Sequence, residues 1–103
     1  NTKGYMSLKG QTVRIIVHEP WDWKENLFGT IVSDRGGDNL LVKLTKPIKG
    51  NKLTSDLIEL EPRYEKETFK PLSQYYSVTI GGALVNEAKD EFDYIIIGTV
   101  TLD

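Results

Sequence analysis

The chain has 103 residues, a length that suits one domain and leaves little room for two, because small domains bury a lower fraction of their surface. Hydrophobic residues make up 39% and charged residues 27%, which excludes the composition of a disordered chain. The absence of cysteine excludes a disulfide framework and a cysteine nucleophile, and it favours a reducing compartment, so we expect a cytoplasmic protein.

Neither end of the chain predicts a membrane anchor. No apolar run approaches the roughly 20 residues that span a bilayer, and the N-terminal NTKGYMSLKG lacks the apolar core of a signal peptide. The chain begins with Asn1, which is typical of a processed protein or of a piece of a longer one. The net charge of −2 is uneven, since residues 61–103 hold four Lys and Arg against eight Asp and Glu.

The first predicted strand is TVRIIVH at residues 12–18. Val13, Ile15 and Val17 share one face, which is the period of two that a half-buried strand requires. EPWDWKEN at residues 19–26 then combines one proline, two tryptophans and four charged residues without a strand or helix period. We predict an exposed, structured loop there.

A β-hairpin is predicted over residues 27–45, with its turn at residues 34–39, DRGGDN. The second arm alternates apolar and more polar residues, as a strand with one buried face does. We expect the arms to share one buried side, formed by Phe28, Thr30 and Val32 on the first arm and by Leu40, Val42 and Leu44 on the second.

The middle of the chain predicts a loop at residues 46–56, punctuated by proline and glycine, and a short strand at residues 57–60. The charged, proline-bounded segment 61–74 suits a connection that crosses the outside of the domain. We expect this connection to be held in place by Tyr64, Phe69 and Leu72.

The last third predicts two more strands, at residues 75–80 and 92–103. Gly81 and Gly82 mark a turn or a bulge, and NEAKDE at residues 86–91 marks a turn or a single helical turn. On the final strand, one face is expected to carry Phe92, Tyr94, Ile96, Val100 and Leu102.

About six short strands without a convincing helix predict an all-β protein, a compact antiparallel barrel or sandwich. GQTV at residues 10–13, a long first loop, FGTIV at 28–32, a tight turn, LVKL at 41–44 and LIEL at 57–60 form a layout that resembles the small SH3-like barrels, including Tudor-type and KOW-type modules. The resemblance implies a small antiparallel barrel whose ligands meet the first loop and the hairpin tip.

We expect one domain over residues 1–103, with a lead-in at residues 1–11 and a barrel-like core at residues 12–62. Residues 63–103 would hold the crossing segment and a C-terminal strand extension. These last strands either join the barrel, giving five to six strands, or form a small sheet packed on it.

Trp21 and Trp23 are the strongest binding candidates, because two indoles around Asp22 on a polar loop offer large, stiff contact surface. The alternative is that an indole folds back as a lid on the core. In an extended loop, alternation would send both the same way, and an outward Tyr75 could complete an aromatic cage for a cation.

Arg35 and Asp38, on the turn of the hairpin, complete the predicted binding set.

Catalytic and metal sites are not predicted. His18 is the one histidine, and neither a nucleophile nor a further imidazole accompanies it. Acidic pairs such as Glu59 and Glu61 lie on runs that we expect to be solvated, and the two glycines of the hairpin turn lack the flanks of a phosphate loop. We therefore expect no enzyme activity, no metal and no cofactor.

The leading hypothesis is a non-enzymatic module that binds a peptide or protein surface. A second form is an inhibitor or immunity-type protein, in which the acidic residues of 61–103 cover a basic active site. The alternative is a nucleic-acid or anion binder, although a pI near 5.4 gives the protein a net negative charge at neutral pH, which repels phosphate backbones. That alternative uses the basic series Lys43, Lys46, Lys49 and Lys52.

Overall fold

The computed structural model describes residues 7–103, so the first six residues of the predicted lead-in lie outside the described residues. Six strands account for most of that part of the chain. They are β1 (Thr12–Glu19), β2 (Leu27–Ser33), β3 (Leu40–Lys49), β4 (Thr54–Pro62), β5 (Val78–Asn86) and β6 (Glu91–Leu102). Two 3-10 turns, Arg35–Gly37 and Glu87–Lys89, lie between strands.

Each strand pairs antiparallel with the next, and β6 returns to pair with β1, from Val13 opposite Leu102 to Glu19 opposite Ile97. The result is a closed six-stranded barrel, which confirms the predicted all-β antiparallel class and is consistent with an SH3-like barrel. β5 and β6 are barrel strands, not an extension outside it. Residues 12–62 therefore supply four of the six strands and do not close the barrel alone.

The up-and-down order sorts the connections into two ends of the barrel. One end, the Trp-loop end, carries the β1–β2 loop at residues 20–26 with the turns at 50–53 and 87–90. The other, the hairpin-tip end, carries the β2–β3 turn at residues 34–39 and the β4–β5 connection at residues 63–77.

Inward-facing aliphatic side chains from all six strands fill the barrel. Burial of this apolar surface is the main favourable term in folding. Among residues 7–103, three buried residues outside the strands join the core, namely Leu8, Phe69 and Leu72. Phe69 is fully buried, and its backbone N–H donates to the carbonyl oxygen of Gly37 at 3.0 Å, so the β4–β5 connection plugs the hairpin-tip end.

The prediction for that connection was correct for Phe69 and Leu72 and wrong for Tyr64, which is 59% exposed. The predicted loop at residues 46–56 is also shorter than expected. β3 continues to Lys49 and β4 begins at Thr54, which leaves a four-residue turn.

The predicted buried face of β2 was wrong. Leu27 and Ile31 point into the barrel, whereas Phe28 and Val32 are exposed. Both faces of LFGTIV carry apolar side chains, so alternation alone does not select one. The pairing selects it: Gly29 faces inward where the backbone of β3 comes so close that a side chain would collide with it.

The predicted face of β6 was wrong in its first half for a different reason. Gly82 pairs with Ile96 and Ala83 with Tyr94, so Ile95 is an extra residue on β6. Such a bulge reverses the alternation. Phe92 and Tyr94 consequently face solvent, whereas Ile96 and Val100 face the core as predicted.

Candidate functional site

The Trp loop separates its two tryptophans. Trp21 is 86% exposed, with the ammonium of Lys24 6.0 Å from its ring centroid. Trp23 is half-buried and packs against the barrel core. A turn in which the N–H of Trp23 donates to the carbonyl oxygen of Pro20 at 3.0 Å interrupts the extended path. The loop is therefore not extended, and its two indoles do not share the one direction that an extended loop would give them.

Trp23 folds back as a lid on the core, which is the alternative role of an indole in this loop. Its indole nitrogen is buried and has no hydrogen-bond partner within the described residues. An unsatisfied buried donor costs about 1–3 kcal/mol, so apolar packing must hold the ring there. Trp21 retains the exposed surface that a contact residue needs, and Asp22 beside it is exposed as well.

The other predicted binding residues lie at the opposite end of the barrel. Arg35 and Asp38 are exposed on the hairpin turn, and Tyr75 is 89% exposed in the β4–β5 connection. β2 separates the two ends, and its seven residues span roughly 20 Å at 3.3 Å per residue. The structure therefore does not assemble an aromatic cage from Trp21 and Tyr75.

The hairpin tip is itself a structural joint. The carboxylate of Asp34 accepts hydrogen bonds from the hydroxyl of Ser7 at 3.0 Å and from the backbone N–H of Leu8 at 2.6 Å. On the other side of the tip, the carbonyl oxygen of Gly37 accepts from the hydroxyl of Thr68 at 3.0 Å. The tip thus ties the lead-in and the β4–β5 connection to the barrel.

The predicted basic series is partly neutralised by the chain itself. Lys43 pairs with Asp56 at 2.8 Å, and Lys46 pairs with Glu25 at 3.5 Å. Lys49 and Lys52 are exposed. Such exposed ion pairs add little stability to the fold. Each pair does place a carboxylate beside a lysine that would have to bind phosphate, and that carboxylate would repel the phosphate.

Asp93 is a buried acidic residue of β6, with 4% exposure. Its carboxylate accepts backbone N–H bonds from Leu53 at 3.0 Å and from Lys52 at 2.6 Å. These bonds, helped by the N–H of Asn51 and the charge of Lys52, lower the pKa of Asp93 despite its burial. Asp93 therefore anchors the turn at residues 50–53.

A groove of about 680 Å³ on the outside of the barrel was not predicted. The strand register places Glu61 opposite Gly81, Gly81 opposite Ile97, and Ile97 opposite Glu19. Because directly paired residues point to the same face of a sheet, these four positions form one outward row across β4, β5, β6 and β1. No run of sequence could show this row, since its members come from four distant segments.

The floor of the groove is apolar and has a gap in it. Ile95 and Ile97 supply its side chains, and a Cβ atom added at Gly81 would meet no atom within 4 Å. Pro20 borders the groove on the Trp-loop side and Pro62 borders it on the other. Asn51 and the largely exposed Tyr94 complete the lining.

The charged side chains that line the groove are Glu19, Glu61 and Arg63. None of the three forms an ion pair within residues 7–103. The groove thus has a net charge of minus one over an apolar floor, and its charges are available to a ligand.

A second cavity of about 430 Å³ lies between the Trp loop and β3. Its lining includes Leu27, Phe28, Leu44 and Ile48, together with Glu25 and Lys46, which pair with each other. Its charged groups are therefore already matched within the chain, unlike those of the outer groove.

Comparison of the chain with protein-family models, with curated proteins and with solved structures finds no match in any of the three. In the part of the chain that the structure covers, no three His, Asp or Glu side chains come together in a way that could hold a metal ion. No helix among residues 7–103 is long and apolar enough to cross a membrane.

Proposed function

We propose that this chain is a non-enzymatic binding module that recognises a peptide or a protein surface through the groove formed across β4, β5, β6 and β1. The observation that carries the proposal is the groove itself, whose apolar floor is flanked by carboxylates that form no ion pair within residues 7–103. Ligand sites combine these features, a concave apolar surface with a few polar groups that fix orientation.

The way the strands pair favours recognition by side chains. Each strand of the barrel has a neighbour on both sides, so an incoming peptide has no long sheet edge on which to add a strand. The groove offers an alternative, because its floor lacks a side chain at Gly81 and an inserted apolar group would fill that space.

Trp21 extends the proposed surface. It follows Pro20, which borders the groove, and its exposed indole provides the rigid area that binding hot spots favour. Trp23 supports this surface from below by holding the loop against the core. Arg35, Asp38 and Tyr75, at the hairpin-tip end, are not part of the proposed groove site.

We also propose a relationship to Tudor-type or KOW-type modules and a cytoplasmic location. The arrangement of the first loop supports the relationship, because ligands of such barrels meet that loop and here it borders the groove. The inhibitor form has less support. Glu65 and Glu67 lie in the β4–β5 connection at the hairpin-tip end, whereas Glu87 and Asp90 lie in the turn at the Trp-loop end, so these acidic residues do not form one surface.

A peptide-display selection tests the proposal. Random peptides are selected on the wild-type chain, and the enriched clones are then measured on G81L and T12L. The leucine side chain of G81L would fill the gap in the groove, whereas Thr12 is exposed near the hairpin-tip end of β1, so T12L adds the same side chain away from the groove. Thermal melting of both variants reports whether they fold.

We expect clones that bind wild type and T12L to lose at least about tenfold in affinity for G81L, the loss expected when a side chain occupies a contact pocket. The proposal is wrong if no peptide is enriched on the wild-type chain. It is equally wrong if folded G81L binds the enriched clones as well as the wild type does.

A further inference from the structure

We infer that the occupant of the groove is an extended segment carrying two basic side chains four residues apart, with an apolar residue midway between them. This inference rests on the proposed function and specifies its ligand. It is drawn from the spacing of Glu61, Gly81, Ile97 and Glu19 across the four strands.

The spacing of the carboxylates sets the length of the segment. Neighbouring strands lie about 4.8 Å apart, so the path along the curved outer surface of the barrel from the backbone of Glu61 to that of Glu19 covers three intervals, about 14 Å. An extended chain rises about 3.3 Å per residue, so its residues i and i+4 are about 13 Å apart and point to the same face. Basic side chains at these two positions can each reach one carboxylate.

The floor of the groove determines the type of residue that lies between the two basic residues. The side chain at i+2 points the same way as those at i and i+4 and lies about midway. It would therefore lie over Gly81, which has no side chain, and over Ile97, whose side chain is apolar. A leucine-sized group there removes apolar surface of both partners from water.

The borders of the groove suit long basic side chains. Pro20 and Pro62 present apolar rings beside the two carboxylates, and the aliphatic stems of Lys and Arg pack on such surface while the charged group reaches further. Arg63 lies on the Glu61 side of the groove, and its positive charge offsets one of the two negative charges. The remaining net charge still favours a basic occupant over an acidic one.

Fluorescently labelled synthetic peptides test the inference by anisotropy at low and high salt. The basic probe is SKSLSKS, the charge-reversed probe is SESLSES, and the spacing control is SSKLKSS, whose lysines are only two residues apart. We expect the basic probe to bind at least about tenfold more tightly than either of the other two, because two charge pairs and the apolar contact form together. The difference should shrink as salt is added.

A charge-reversed protein provides the matched test. In the double variant E19K/E61K we expect the preference to switch from SKSLSKS to SESLSES, whereas E65K/E67K, changed outside the groove, should keep the wild-type preference. Both Glu19 and Glu61 are exposed, so the folded barrel tolerates these changes, and thermal melting checks this.

The outcomes separate this inference from the proposed function. Equal affinity of the wild type for the basic and acidic probes, or an unchanged preference in E19K/E61K, overturns the basic pattern. So does the lack of binding to SKSLSKS. If peptides from the random selection still lose affinity for G81L, the groove remains a binding site with another ligand class; if they do not, the proposed function fails as well.

Discussion

The buried carboxylate of Asp93 connects a strand to a turn at the Trp-loop end of the barrel. Asp93 belongs to β6, and its backbone partners Lys52 and Leu53 belong to the turn between β3 and β4. Gly50 makes this contact close, because a side chain at that position would collide with the carboxylate. Asp93 forms no ion pair with the described residues, and its buried charge persists because backbone N–H groups replace water.

Replacing Asp93 with Asn should lower the melting temperature at neutral pH. The pKa of Asp93 is held below its ordinary value of 3.8. A lowered folded-state pKa stabilises the fold fully above the unfolded-state value, and the contribution is lost as pH falls through the folded-state pKa. The gap in melting temperature between wild type and D93N should therefore be widest near neutral pH and should narrow as the pH falls below the unfolded-state value.

The matched control is D90N, measured by the same thermal melts. Asp90 is exposed and has a φ of 52°, a left-handed conformation that Asn also tolerates. Its difference from wild type should stay small at every pH. A gap for D93N that is absent at neutral pH, or that widens in acid, would contradict the anchoring role of Asp93.

At the scale of elements, β6 both closes the barrel and shapes the groove. It pairs with both β5 and β1, and its bulge at Ile95 turns Tyr94 towards the groove while Ile96 enters the core. Gly98 allows β1 to approach, since a side chain there would collide with the carbonyl oxygen of Ile16. Barrel closure and groove geometry thus depend on the same strand.

The variants G98A and G81A should therefore differ, although each adds one methyl group to neighbouring paired strands. G98A must push β1 away from β6, and we expect it to cost about 1–3 kcal/mol of unfolding free energy, the range for overpacked sites. G81A adds a methyl group in open space and should change stability by less than about 0.5 kcal/mol. Urea denaturation of both variants measures the difference, and equal values would contradict the close approach at Gly98.

At the scale of the whole molecule, closure joins parts of the chain that are far apart in sequence. β1 lies between β2 and the C-terminal strand β6, and β4 lies between β3 and β5. Phe69 and Leu72 fill the core from the connection that precedes the last two strands. All six strands therefore complete one barrel, and we expect it to unfold as one cooperative unit.

A fragment of residues 1–62 tests this unit directly. It would leave β1 and β4 each without one neighbour and would expose the core where Phe69, Val78 and Ile80 normally pack. We expect no cooperative thermal transition in circular dichroism for the fragment alone, and recovery of the transition when an equimolar peptide of residues 63–103 is added. A cooperative transition of the fragment alone would show that residues 12–62 hold a complete core.

The sequence by itself determined the secondary structure class and much of the core. Strands of period two predicted β1 and the β2–β3 hairpin, and they also predicted the inward face of β3. These features depend on local alternation and turn chemistry, which a single sequence contains. Alternation failed where both faces of a strand are apolar, as in β2, and where an extra residue shifts the phase, as at Ile95.

The tertiary structure alone decided the position of the candidate site. Trp21 and Trp23 are only two residues apart in sequence, yet a turn places Trp21 in solvent and Trp23 against the core. Glu19, Gly81 and Ile97 are far apart in sequence, yet the register of three strand pairs places them in one groove with Glu61. Register is set by how the whole barrel closes, and closure depends on contacts that no local pattern encodes.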